Sequence, residues 1–210
     1  MVFQNRKEAG IKLAEALSKF KDDDVIVFAL PRGGVVLGVE IAEILDAPLD
    51  LVITKKIGHP FNSEYAIGAV AESGEPLYNA AELRRVDANW RRSEEERMRA
   101  ELKRRRRDYF GDREQEDLAG KVAIIVDDGI ATGLTMMAAI KYLRGQGAER
   151  IVVAIPVTPY DTAQRLREQA DDLVSLQIDR YYRGAVGAYY KDFRQVSDEE
   201  VIALLRSVEG

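Results

Sequence analysis

The chain is 210 residues long, 46% hydrophobic and 32% charged, with a formal net charge of −5. That length and balance suit a single α/β domain with a sizeable core, and the acidic total excludes a surface that binds nucleic acid as a whole. With no cysteine in the sequence, disulfides and thiol catalysis are excluded. The first residues lack the apolar core of a secretory signal and no apolar run approaches membrane-spanning length, so the expected location is the cytoplasm, without a membrane partner.

From the N-terminus, residues 5–20 predict an amphipathic helix with Leu13, Leu17 and Phe20 on one stripe. Val25–Ala29 is a continuous apolar run, as expected of a strand buried on both faces. The turn Leu30-Pro-Arg-Gly-Gly34 follows, then an apolar helix to about Leu45. Residues 49–54 predict a second strand, 55–65 a polar loop and 67–71 a third strand. A hairpin then runs through Ser73-Gly74 to Leu77 and Tyr78. Residues 79–117 read as a charged helical arm. Within 91–107 there are nine Arg or Lys against four Glu, and 104–107 is unbroken arginine. One reading of that run is a nucleic-acid patch. The other, which is preferred, is a solvated helix with Glu and Arg three or four residues apart, docked by Val86, Trp90, Met98 and Leu102. Helix 136–145, strand 151–156, helix 161–170 and strand 173–176 then alternate as βαβ units, implying a mostly parallel sheet with right-handed crossovers. The tail 177–196 is aromatic without period and reads as a cap over the sheet edge. Ser197-Asp-Glu-Glu200 is a capping box that opens a final helix. No linker or repeat divides the chain: one domain over 1–210, with 79–117 as the arm and 177–210 as cap and last helix.

Residues 122–135 carry the chemistry. The apolar strand Val122–Val126 ends in two carboxylates, Asp127 and Asp128, followed by the small-residue loop Gly129, Ile130, Ala131, Thr132, Gly133, Leu134 and Thr135. A loop at the carboxyl end of a parallel strand is where open α/β sheets bind ligands. Its glycines allow close approach to an anion, its threonines offer hydroxyls, and the helix after it presents free N–H groups to a phosphate. Two adjacent carboxylates need their own partner, a vicinal diol or a hydrated magnesium ion. The ligand expected is a sugar phosphate with free hydroxyls. Pro31-Arg-Gly-Gly34 lies at a second strand-to-helix junction and is another anion position; Arg32 has a forked donor set suited to diphosphate, although a tight turn alone would also require Gly33 and Gly34.

This order of strand, acidic pair, Thr-Gly-x-Thr and helix resembles the type I phosphoribosyltransferase family. Leu30-Pro-Arg-Gly-Gly34, Lys55-Lys-Ile-Gly58, Ala66-Ile-Gly-Ala-Val-Ala-Glu72 and Asp192-Phe-Arg-Gln-Val-Ser-Asp198 are similar to a bacterial and archaeal branch of it with unassigned acceptors. The resemblance implies that family's fold, a mostly parallel open sheet flanked by helices with a small hood from the terminal segments. It also implies Mg²⁺-dependent transfer of the 5-phosphoribosyl group from phosphoribosyl diphosphate to a nitrogenous base or similar acceptor, in nucleotide metabolism. Asp127 and Asp128 would hold the ribose hydroxyls and, through water, the metal. Residues 129–135 would wrap the 5′-phosphate, and Arg32, Gly33 and Gly34 would bind pyrophosphate beside an unusual cis peptide near Pro31-Arg32. Lys55 and Lys56 would sit on a mobile loop over the reacting centre. Tyr181, Tyr182, Tyr189, Tyr190 and Asp192 would form the acceptor side of the hood. Ala131 stands where purine enzymes of the hypoxanthine type carry an aspartate, whereas the aromatic and acidic tail is like theirs, so the acceptor stays open, as does assembly into a homo-oligomer. His59, the only histidine, is given no task. A rival reading keeps the loop as a sensor of phosphoribosyl diphosphate that regulates through nucleic acid without turnover.

Overall fold

The computed structural model describes residues 1–208. Five strands form one parallel sheet: β1 (Val25–Ala29), β2 (Leu49–Leu51), β6 (Val122–Val126), β7 (Arg150–Pro159) and β8 (Asp172–Asp179), in the order β2-β1-β6-β7-β8. Helices cover both faces. On one lie α1 (Arg6–Ala16), α2 (Gly33–Leu45) and α7 (Asp198–Val208); on the other lie α5 (Leu134–Gly145) and α6 (Tyr160–Gln169). The strand pleat divides the core accordingly. Val25, Val27 and Ala29 join the first layer with Leu13, Leu37 and Ile41, while Ile26 and Phe28 join the second with Met136, Ile140 and Leu143. A strand buried on both sides must be apolar throughout, which is why β1 and β6 have the limits their sequence predicts.

The remaining elements depart from expectation in instructive ways. Residues 55–65 are not a loop. They belong to β3 (Thr54–His59) and β4 (Asn62–Ala71), which with β5 (Leu77–Tyr78) form a separate three-stranded antiparallel sheet. The outer end of β4 is solvated on both faces over residues 62–65, so no alternation marked it as a strand. The first helix ends at Ala16 and continues as a 3-10 turn, Ser18–Phe20, yet Leu13, Leu17 and Phe20 are buried as their spacing required. The arm consists of α3 (Ala80–Leu83) and the 23-residue α4 (Ala88–Phe110), held by Met98, Leu102 and Tyr109. The capping box forms as written: Glu200 N donates to Ser197 Oγ at 3.2 Å and Ser197 N to Glu200 Oε2 at 3.0 Å. The cap has one 3-10 turn, Val186–Tyr189, and is stitched to the N-terminus by a parallel bridge between Phe3 and Tyr190. Positions 209 and 210 of the expected cap and helix lie outside the described residues.

Candidate functional site

Counting only the strands of the parallel sheet, their order is 2-1-3-4-5, and the direction of winding reverses between β1 and β6. Ligands of open α/β sheets bind at that switch point, beyond the carboxyl ends of the strands. Both loops singled out in the sequence emerge there: 30–34 from β1 and 127–133 from β6. Ala29 and Val126 are register partners, so the two loops start level with one another.

The acidic pair is packed tightly. Asp128 N donates to Asp127 Oδ1 at 2.8 Å, and Asp128 Oδ2 accepts from Arg6 Nε at 2.7 Å. Tyr190 Oη donates to the Asp128 carbonyl oxygen at 2.6 Å. Burial raises the carboxyl of Asp127 well above its ordinary range, and the charge of Asp128 adds to the effect. Asp128 is also raised by burial, with Arg6 offsetting part of the rise. Gly33 and Gly34 lie directly against this pair. A Cβ at Gly33 would stand 1.9 Å from Asp128 Oδ2, and one at Gly34 would stand 2.7 Å from the Val126 carbonyl oxygen and 3.1 Å from Asp127 Cα. Both glycines thus let the first turn of α2 pack on the end of β6. The bond between Pro31 and Arg32 is a cis peptide.

The loop beyond the pair is braced from behind. Ile130 N donates to the Val157 carbonyl at 3.1 Å, Thr162 Oγ1 to the Ala131 carbonyl at 2.8 Å, and Arg165 Nη2 to the Thr132 carbonyl at 3.0 Å. Gly129 and Gly133 have φ of 154° and 77°, values side chains rarely adopt. Among the described residues, the main-chain amides of Ala131, Thr132, Gly133, Leu134, Thr135 and Met136 donate to no other protein group; the first helical bond is Met137 N to Gly133 O at 2.9 Å. Helix α5 begins at Leu134, two residues before the sequence suggested, so Thr135 sits in its first turn.

The other anticipated residues are spread more widely. Arg32 is one-third exposed and its Nη1 lies 3.9 Å from Asp198 Oδ1, a carboxylate that also accepts from Tyr109 Oη at 2.5 Å. Tyr109 is the main reason the Asp198 carboxyl is lowered. Lys55 turns away to the arm, with Nζ 2.6 Å from both carboxylate oxygens of Glu101, while Lys56 is exposed. His59 accepts from Phe61 N at 3.2 Å and shapes the hairpin tip. Tyr189 is fully buried, donating to Asp179 Oδ2 at 2.8 Å. Tyr182 stacks on Tyr189 at 5.5 Å with its buried hydroxyl unpartnered among the described residues. Tyr181 is 90% exposed. Tyr181 and Tyr182 line a cleft of about 670 Å³ at the ends of β7 and β8, together with Tyr160, Asp161, Asp179 and Arg180. Asp192 lies elsewhere, in a cleft of about 180 Å³ beside Arg6 and Arg194.

Arg6, Thr162 and Arg165 lie beside the loop yet stand in no motif, and in the sequence Asp198 figures only within the capping box and the tail motif. The basic run is divided: Arg106 turns inward, its Nη2 meeting the fully buried Asp50 at 2.6 Å, Arg105 Nη2 lies 3.6 Å from the half-exposed Asp198, and Arg104 and Arg107 are exposed.

The switch-point cradle, with its acidic pair and unpaired amides, defines an open α/β protein with these groups at the place where such sheets bind ligands. Over residues 3–192 the sequence matches the phosphoribosyl transferase domain, and the chain belongs to that family. A Mycobacterium tuberculosis protein with a provisional phosphoribosyl transferase name is 40% identical over 206 residues, covering 97% of this chain and 46% of its own length. The chain thus spans about half the length of the curated relatives it matches. The crystal structure of TT1426 from Thermus thermophilus is 40% identical and superposes over 100% of both chains with a TM-score of 0.86. A Neisseria gonorrhoeae protein solved with bound ppGpp shares the fold at a TM-score of 0.54 and 15% identity, over 98% of this chain and 96% of its own.

Proposed function

We propose that the chain transfers a 5-phosphoribosyl group from phosphoribosyl diphosphate to a nitrogenous base or similar small acceptor, releasing pyrophosphate, in the cytoplasm. The observation that carries this reading is the row of unpaired amides from Ala131 to Met136 beside Asp127 and Asp128. The amides suit the 5′-phosphate and the carboxylates suit the ribose diol. Pyrophosphate would meet the turn at Arg32, Gly33 and Gly34, and would draw the Arg32 guanidinium from its long contact with Asp198. Lys56, exposed on β3, is available to the leaving group; Lys55 first has to leave Glu101. The acceptor would enter the cleft between Tyr160 and Tyr181, where aromatic faces can stack a planar ring.

In the reaction the bond from C1 to the pyrophosphate oxygen breaks, a bond from C1 to the acceptor nitrogen forms, and the nitrogen's proton passes to solvent. No protein nucleophile is required, so the residues act by positioning and by stabilising charge. The donor set of the site is hard oxygen, which fits Mg²⁺. Among the described residues no three potential ligands cluster, so a hydrated ion brought by the donor would be held by Asp127 and Asp128 through water. Such an ion, when bound, neutralises the leaving pyrophosphate.

The test is pyrophosphate release from phosphoribosyl diphosphate across a panel of bases with Mg²⁺. Release is expected with at least one acceptor and is abolished by the double change Asp127→Ala, Asp128→Ala. Silence across the panel together with tight, salt-sensitive nucleic-acid binding would establish the sensor reading instead. The withdrawal of Arg106 to Asp50 and Glu72 removes one arginine of the run from such a surface and argues against that outcome.

A further inference from the structure

Arg6 is held at the acidic pair by three groups. Its Nε donates to Asp128 Oδ2 at 2.7 Å, its Nη1 donates to the Arg194 carbonyl oxygen at 2.7 Å, and its guanidinium lies 3.8 Å from the centre of the Phe193 ring. The side chain is only 11% exposed. Gly33 closes the remaining side, where a Cβ would stand 3.0 Å from Nε. An ion pair, a carbonyl and a ring thus fix the plane of the guanidinium from three directions.

This fixed cation changes what the pair recognises. Two bare carboxylates would favour direct coordination of a metal cation. Arg6 sets one fixed positive charge against the pair, which weakens its pull on a metal cation. One oxygen of each carboxylate is already engaged, Asp127 Oδ1 by an amide and Asp128 Oδ2 by Arg6. The two carboxyls also meet one another, and the oxygens not held by the amide or Arg6 form an adjacent set suited to two neighbouring hydroxyl donors. We infer that Arg6 is a positioning residue that sets Asp128 to read a vicinal diol, linking that recognition to the cap through Phe193 and Arg194. The inference rests on the proposed sugar-phosphate site and assigns the diol reading within it to a residue of the first helix.

Calorimetry without added metal tests it, with ribose 5-phosphate and 2-deoxyribose 5-phosphate as probes. Losing one hydroxyl from a charged acceptor costs roughly ten- to a hundredfold in affinity, so the wild-type chain is expected to prefer the ribose compound by that factor. Arg6→Met should keep its affinity for the deoxy compound within about threefold while the preference collapses to about twofold or less, and Arg6→Lys should restore part of it. Equal weakening towards both probes, with the preference intact, would reduce Arg6 to a structural brace and overturn the inference. Tighter binding of both by Arg6→Met would make it a plug, which overturns the inference equally. A wild-type chain that binds neither probe, or does not distinguish them, sinks the sugar-phosphate reading and this inference together, whereas a preference present in wild type and unchanged in the variants sinks the inference alone. Should Arg6→Met fail to fold, Phe193→Leu removes the stacking plane but leaves the ion pair. It is expected to lose part of the preference, and full retention would count against Arg6.

Discussion

Replacing Gly33 by alanine probes the tightest contact in the site. The added Cβ would stand 1.9 Å from Asp128 Oδ2 and 2.7 Å from its Cγ, where ordinary contact begins at 3.4 Å, an intrusion of 1.5 Å. Gly33 does not have a positive φ, so the backbone conformation itself is acceptable to alanine and the whole effect comes from the contact. Two relaxations are open. The carboxylate can swing away, which breaks its buried 2.7 Å bond to Arg6 at about 3–5 kcal/mol. Alternatively the first turn of α2 can shift, an overpacking cost of about 1–3 kcal/mol. The cheaper route governs stability, so urea unfolding should register a loss of about 1–3 kcal/mol. On the proposed function either route displaces a partner of phosphoribosyl diphosphate, the diol or the pyrophosphate, so affinity for that compound, measured by calorimetry, should fall at least about tenfold. Gly145→Ala is the control. It lies at the end of α5 with nothing within 4 Å, and should gain up to about 0.5–1 kcal/mol with binding unchanged. A Gly33→Ala chain as stable as wild type and equally avid would refute the contact argument.

Three further outcomes follow from the same geometry. Arg106→Met should cost about 3–5 kcal/mol in denaturant unfolding, because it leaves the fully buried Asp50 without its 2.6 Å partner; the exposed neighbour Arg107→Met should stay within about 0.5 kcal/mol of wild type. Burial raises the Glu72 carboxyl from 4.5 to about 7, so the folded chain retains a proton that the unfolded chain has lost. Its contribution to stability is therefore greatest below pH 4.5 and is lost as the pH climbs to about 7, by an amount on the order of 3 kcal/mol. Glu72→Gln has no such slope and should gain on wild type across that window; a constant difference between the two would contradict the assignment. Tyr190→Phe strips the Asp128 carbonyl of its 2.6 Å donor and should cost about 1–2 kcal/mol, read as a lower midpoint in thermal unfolding.

What could be read in advance divides along a physical line. Strands β1 and β6 and the capping box at Ser197 were legible because their determinants are local: an uninterrupted apolar run, or two side chains three residues apart. The placement of the acidic pair at the end of β6 and of the glycine-rich loop before α5 was legible for the same reason. Hidden from the sequence were groups whose meaning depends on distant partners. Arg6 and Asp128 are 122 positions apart, and Arg106 and Asp50 are 56 apart. Helical spacing alone left Arg105 and Arg106 indistinguishable from solvated charges. The hairpin of β3 and β4 escaped because its outer residues bury nothing, so they have no polarity pattern to read. Among the tail tyrosines, Tyr189 and Tyr190 are packed into the core while Tyr181 faces solvent, a division that composition cannot express.

The pairing of Ala29 with Val126 has an evolutionary consequence. The separation of the two anion-handling turns is a property of interstrand hydrogen bonding, dictated by the main chain of two neighbouring central strands. Substitutions around Tyr160 and Tyr181, at the far margin of the sheet, leave that separation alone. If the proposed function holds, selection can retool the chain for a different incoming nucleophile through a handful of peripheral side chains, while the gauge set by the two central strands keeps its calibration.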